Sequence, residues 1–74
     1  MALEDLYKSI TEHRLVQFVY VNQKNETSVR ICEGYEVRDG YFFAFDIQKD
    51  GTRQFFLAMI SDVQLLDTAF IPRF

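Results

Sequence analysis

Asp39-Gly40-Tyr41-Phe42-Phe43-Ala44-Phe45-Asp46-Ile47 is the stretch whose reading decides the fold. Asp-Gly is a tight-turn pair, because both residues accept the positive φ that a two-residue hairpin demands. It delivers the chain straight into a strand that is apolar on both faces at its start, which belongs in the middle of a sheet. On its N-terminal side, residues 27–38 alternate, with Val29, Ile31, Tyr35 and Val37 in one row and Arg30, Glu36 and Arg38 in the other. Glu33 interrupts the apolar row, and the neighbouring Gly34 predicts a bulge or sharp bend. On its C-terminal side, Asp50-Gly51 supplies the next hairpin turn into a strand over 53–59, and 62–66 reads as one more short strand before a tail containing Pro72.

Working outward, Val16, Phe18, Val19, Tyr20 and Val21 form a β-branched and aromatic run, so 15–22 is a strand that ends in the polar turn Asn22-Gln23-Lys24-Asn25. Before it, Leu3, Leu6, Tyr7 and Ile10 recur at helical spacing among charged residues, which predicts an amphipathic helix over 2–13. Glu4 and Asp5 in its first turn and His13-Arg14 at its end suit the helix dipole. The expected architecture is mainly β with one N-terminal helix. Its strands, over 15–22, 27–38, 41–48, 53–59 and 62–66, form one domain of 74 residues. Short turns between sequential strands imply an antiparallel meander, and five bent strands of this length close into a small barrel. Tyr41, Phe43, Phe45 and Leu57 are the expected core.

Composition narrows the function. A hydrophobic share of 49% with 16% aromatics is too apolar for a disordered chain, and the apolar runs are too short to span a membrane as a helix. Eight Lys and Arg against 11 Asp and Glu leave a net charge of −3, which argues against sequence-independent attachment to nucleic acid. Cys32 is the sole cysteine and residues 1–14 carry no signal-peptide pattern, so a reducing, cytoplasmic setting is expected. Cys32 in a strand reads as a small core hydrophobe, and His13 as a helix-end cation. No metal-ligand spacing, glycine-rich phosphate loop or nucleophile–base pattern is present, so neither catalysis nor a cofactor or metal is expected.

Four segments carry a family likeness: Arg14-Leu-Val-Gln-Phe-Val-Tyr20, Val29-Arg-Ile-Cys-Glu-Gly-Tyr35, Asp39-Gly-Tyr-Phe-Phe-Ala-Phe-Asp46 and Phe55-Phe-Leu-Ala-Met-Ile-Ser-Asp-Val63. In order and spacing they resemble the WYL domain, over roughly residues 3–70, and Phe70-Ile-Pro72 is similar to that family's Phe-x-Pro tail. The chain departs from the pattern in three places. Gly40-Tyr41-Phe42 occupies the Trp-Tyr-Leu tripeptide, Gly34 replaces a proline, and Phe56, Ala58 and Met59 stand where the family has Arg, Asp and Arg. The resemblance implies a stand-alone, degenerate member with an SH3/Sm-like five-stranded antiparallel β-barrel. It also implies a ligand-sensing regulatory role in a bacterial or phage context, exerted through a partner, with nucleotide or single-stranded nucleic acid as ligand.

The matched residues Arg14, Tyr20, Arg30, Tyr35 and Tyr41, with Arg53 just before the altered strand, are then the candidate ligand-binding set. Arginine and an aromatic plane suit phosphates and stacked bases, and Arg38 is a further candidate for such a face. The plainer reading pairs each arginine with Glu33, Glu36 or Asp46 on a solvated sheet. Because Phe42, Phe43, Phe45, Phe55 and Phe56 are more aromatics than one face can bury, an exposed patch is expected. That favours the alternative function, a protein-interaction or oligomerisation module, acting as a homo-oligomer or with a regulatory protein partner. An accessory subunit of an enzyme is a third, weaker option.

Overall fold

The computed structural model of the chain describes residues 3–74. Helix α1 (Leu3–Glu12) is followed by strands β1 (Arg14–Val21), β2 (Thr27–Arg38), β3 (Tyr41–Asp46), β4 (Gly51–Phe56) and β5 (Ile60–Ala69), with a 3-10 turn at Leu57–Met59. The first residue of the expected helix, Ala2, lies outside the described residues. The helix stops at Glu12 because His13 takes φ 54°, a left-handed conformation that ends helical hydrogen bonding.

One antiparallel sheet holds all five strands in the order β4-β3-β2-β1-β5. The β2–β3 hairpin turns through Asp39 and Gly40, with φ 54° and 81°, as the Asp-Gly pair predicts. The register of β2 against β3 slips between Gly34 and Glu36, which places Tyr35 in a bulge. Two strands end earlier than their apolar runs suggest. β3 stops at Asp46 because the Asp46 Oδ1 atom accepts hydrogen bonds from the Gln48 and Lys49 backbone N–H groups and folds the chain into a turn. β4 stops at Phe56, and β5 extends well beyond the expected 62–66 by pairing with β1 as far as Ala69.

Directly paired residues share a face of the sheet. The pairs Phe42–Phe55 and Ala44–Arg53 therefore lie in the core-facing row, and Tyr41–Phe56, Phe43–Gln54 and Phe45–Thr52 in the outer row. The core is Leu6, Val16, Phe18, Cys32, Phe42, Ala44, Phe55 and Ile60. This corrects the expected register of β3. Phe42 and Ala44 face inward, Tyr41 and Phe43 are half-buried on the outside, and Phe45 is buried there under the C-terminal tail. Leu57 packs against the core from its edge. Both rows of β3 are apolar, so alternation carried no sign to separate inside from outside.

The sheet is curled but not closed. Strands β1 and β4 would stand about 14 Å apart in a flat sheet, yet Phe55 packs edge-on against Phe18 and Tyr20 with ring centroids 5.0 and 4.9 Å apart. No ladder joins β4 to β5, which are the two outer strands, so the closed barrel expected from sequence is replaced by an open sheet. The 3-10 turn explains the difference: it carries the chain past the end of β4 to β1, where Ile60 pairs with Tyr20. Side chains bridge the seam instead, with the Phe56 N–H donating to Tyr20 Oη at 3.0 Å.

The helix covers the core-facing side through Leu6 and Ser9, both fully buried. Ser9 Oγ donates to the Arg14 carbonyl at 2.6 Å and accepts from the Gly34 N–H at 3.1 Å. Glycine is required at 34 by this close approach, since a Cβ there would stand 2.7 Å from Ser9 Oγ and 3.0 Å from the Phe42 ring.

Candidate functional site

The six residues singled out by sequence do not gather at one place. Arg14 is a structural brace: its guanidinium donates to the Leu66 carbonyl, Glu12 and Asp67, tying the start of β1 to β5. Arg30 lies in the core-facing row. Its Nη1 donates to Asp46 Oδ2 at 2.9 Å, its Nε to Ser28 Oγ, and its charge stands 5.5 Å from the Phe55 ring. Asp46 is fully buried and Arg30 partly so, which makes the pair a largely internal bond between β2 and the end of β3. Arg38 has Glu36 and Asp39 at 3.7 Å. For Arg30 and Arg38 the plain ion-pair reading is therefore the observed one, although the Arg30 pair is buried rather than solvated.

Arg53 differs. Among the described residues it is the one arginine with no carboxylate within 4 Å. It sits exposed on the edge strand β4, in the core-facing row by its pairing with Ala44, and with Ala44 and Tyr35 it lines an open groove of about 720 Å³ at the edge of the β3–β4 ribbon. Phe43, Thr52, Gln54 and Phe74 complete the groove, so three aromatic rings and two neutral polar side chains surround one guanidinium-bearing edge.

Tyr20 and Tyr41 line a second, smaller cleft of about 320 Å³ at the seam, together with Asn22, Gln23, Gln54, Phe56 and Met59. Tyr41 stacks on Phe56 with centroids 4.9 Å apart and planes 13° from parallel. The cleft carries no ionised side chain.

Tyr35 is held from both sides. Its Oη donates to Glu33 Oε1 at 2.6 Å and accepts from the Arg73 N–H at 3.0 Å. Burial and the bond to Glu33 raise its pKa above the usual tyrosine value, because both favour the neutral phenol. Cys32 is buried in the core, and burial, reinforced by the charge of Asp46, pushes its thiol pKa far up. His13 packs edge-on against Phe70 just past the helix. No group of three or more His, Cys, Asp or Glu side chains is placed to hold a metal ion among the described residues.

Sequence reasoning missed Phe43, Thr52, Gln54 and Phe74 as groove residues, and missed Arg73 altogether. The available signal was the tail, where Phe70, Arg73 and Phe74 follow a strand that already satisfies the sheet.

No protein-family model matches the chain, and no curated protein matches it. A solved structure does. The chain is similar to part of the Proteasome accessory factor B/C (PafBC) of Arthrobacter aurescens. The TM-score is 0.78 at 25% sequence identity, over 92% of this chain and 11% of that one. The chain thus spans about a tenth of that protein's length. This likeness supports a WYL-like fold, consistent with the resemblance carried by the sequence.

Proposed function

We propose that this chain is a non-catalytic regulatory module of WYL type whose edge groove binds a nucleotide or single-stranded nucleic acid. The likeness to part of PafBC, together with the resemblance carried by the sequence, supports the regulatory part. The observation that carries the ligand part is the pairing of an aromatic groove with the one arginine that no carboxylate engages. Rings such as Tyr35, Phe43 and Phe74 suit a base, whose stacking contributes about 1–3 kcal/mol, and Arg53 suits its phosphate. The curled five-stranded sheet serves such a role as an SH3/Sm-like scaffold. With a net charge of −3, affinity rests on these local groups rather than on the overall field. A cytoplasmic setting fits the same reading, and no helix among the described residues is long and apolar enough to cross a membrane.

The test is a titration of labelled protein with short single-stranded DNA and RNA at low and physiological salt, followed by amide NMR. Saturable, salt-sensitive shifts at Tyr35, Phe43, Arg53 and Gln54 are expected, with Arg53→Ala weakening binding and flattening the salt dependence. Absence of shifts at low salt overturns the reading.

One observation favours the alternative, a protein-interaction or oligomerisation module: β4 and β5 are unpaired along their outer edges, and Phe56 and Met59 beside the seam are nearly half exposed. A concentration-dependent mass by light scattering supports that reading, and a monomer at all concentrations removes the homo-oligomer.

A further inference from the structure

The C-terminal tail, residues 70–74, has no regular secondary structure, yet it is fastened to the outer face of β2 and β3 by specific chemistry. Arg73 Nε donates to Glu33 Oε1 at 3.0 Å, and the guanidinium lies 3.9 Å over the Phe45 ring. The Arg73 N–H donates to Tyr35 Oη, and Tyr35 is flanked edge-on by Phe70 and Phe74 at 5.7 and 5.1 Å. Beneath the tail, Glu33 is only 4% exposed and Phe45 9%. A buried carboxylate, an aromatic face and a phenol that bonds the same carboxylate form a socket shaped for a planar cation. The residues between the anchors contribute little: Ile71 is 89% exposed.

We infer that the Glu33–Tyr35–Phe45 socket is a recognition site for an arginine carried on an extended, aromatic-containing peptide segment of a partner protein, and that the chain's own Arg73 fills it in cis. Three features favour this occupant. The socket offers a guanidinium a buried carboxylate oxygen that accepts its Nε–H and an aromatic ring that its plane covers. The tail reaches it without regular structure, so exchange breaks few bonds. The chain's net charge of −3 attracts a basic segment. Phe74 is both a tail residue and a wall of the groove, so displacing the tail also reshapes the groove. The socket itself does not depend on what the groove binds, and failure of the oligonucleotide titration leaves it standing.

The experiment uses the full chain carrying Arg73→Ala, titrated with the blocked peptide Phe-Ile-Pro-Arg-Phe and followed by amide NMR. Saturable shifts at Glu33, Tyr35 and Phe45 are expected. The same peptide with citrulline in place of arginine keeps the shape but loses the charge, and should bind about tenfold more weakly or worse. The parent chain, whose own tail competes at high effective concentration, should bind the arginine peptide at least about threefold more weakly than R73A. Should R73A fail to fold, Arg73→Lys serves in its place, because lysine keeps a charge but not the planar fork. A folded variant that shows no saturable shifts, or that binds the citrulline peptide as tightly, overturns the inference.

Discussion

Replacing Ser9 with alanine removes one oxygen, and the structure says what that oxygen holds. Ser9 Oγ is fully buried and connects two backbone groups of different strands, the Gly34 N–H and the Arg14 carbonyl. Stranding a buried N–H costs about 1–3 kcal/mol, and losing the bond to the carbonyl adds about 1 kcal/mol. Alanine is the better helix former by about 0.5 kcal/mol, which offsets part of this and leaves a net loss of about 1.5–3.5 kcal/mol. Water cannot take over the role, since deleting one oxygen frees far less than the roughly 30 Å³ a water molecule occupies. In a domain of this size the melting temperature should fall by roughly 6–28 °C. Urea unfolding gives the free energy, and hydrogen exchange at the Gly34 amide localises it. The reasoning fails if S9A stays within about 0.5 kcal/mol of the parent or if Gly34 exchange is unaltered.

Three further outcomes are expected. Arg30→Ala leaves the buried Asp46 carboxylate without its cation and should cost about 3 kcal/mol by urea unfolding; unchanged stability together with lost ligand binding would restore Arg30 as a ligand residue. The Cys32 thiol, buried and held protonated, should resist an aromatic disulfide reagent in native protein and react only at the rate of unfolding, so modification within minutes contradicts its placement. Because the Tyr35 pKa is raised in the fold, its contribution is fully present below about pH 10, the unfolded tyrosine value, and is lost as pH rises through the folded value. The stability difference between parent and Tyr35→Phe should therefore shrink above about pH 10, and a constant difference through that range counts against the bond to Glu33.

Residues whose pattern had a single local solution were legible in the sequence. Asp39-Gly40 fixed a hairpin because few pairs accept two positive φ values, and Gly34 beside Glu33 marked the bulge. The helix followed from Leu3, Leu6 and Ile10, but the importance of Ser9 did not, because its partner Gly34 is 25 residues away. The inward row of β3 was misassigned because Phe42 and Phe43 are equivalent to any periodicity argument, and the tail that covers Phe45 in the outer row is remote in sequence. The candidate arginines were identified by type, yet type does not reveal which of them a carboxylate claims. Arg30 and Arg53 look alike in sequence and end in opposite circumstances, one in a buried pair and one on an open edge.

The brace between β1 and β5 sets how the chain responds to force. Arg14 at the start of β1 pairs with Ala69 at the end of β5, and the Phe70 N–H donates to the His13 carbonyl at 2.8 Å, so the two places where the chain enters and leaves the sheet are neighbours. Tension applied through flanking segments would act on adjacent ends of an antiparallel pair. It would open the ladder one hydrogen bond after another, as a zipper opens, instead of shearing all of them together. Force spectroscopy should accordingly show low, gradual rupture beginning at the tail, with β5 and the Arg73 strap peeling away while the β1–β4 meander still holds. A single high-force rupture would contradict this. In mechanical terms the sheet is built to yield first at the corner where the chain enters and leaves it.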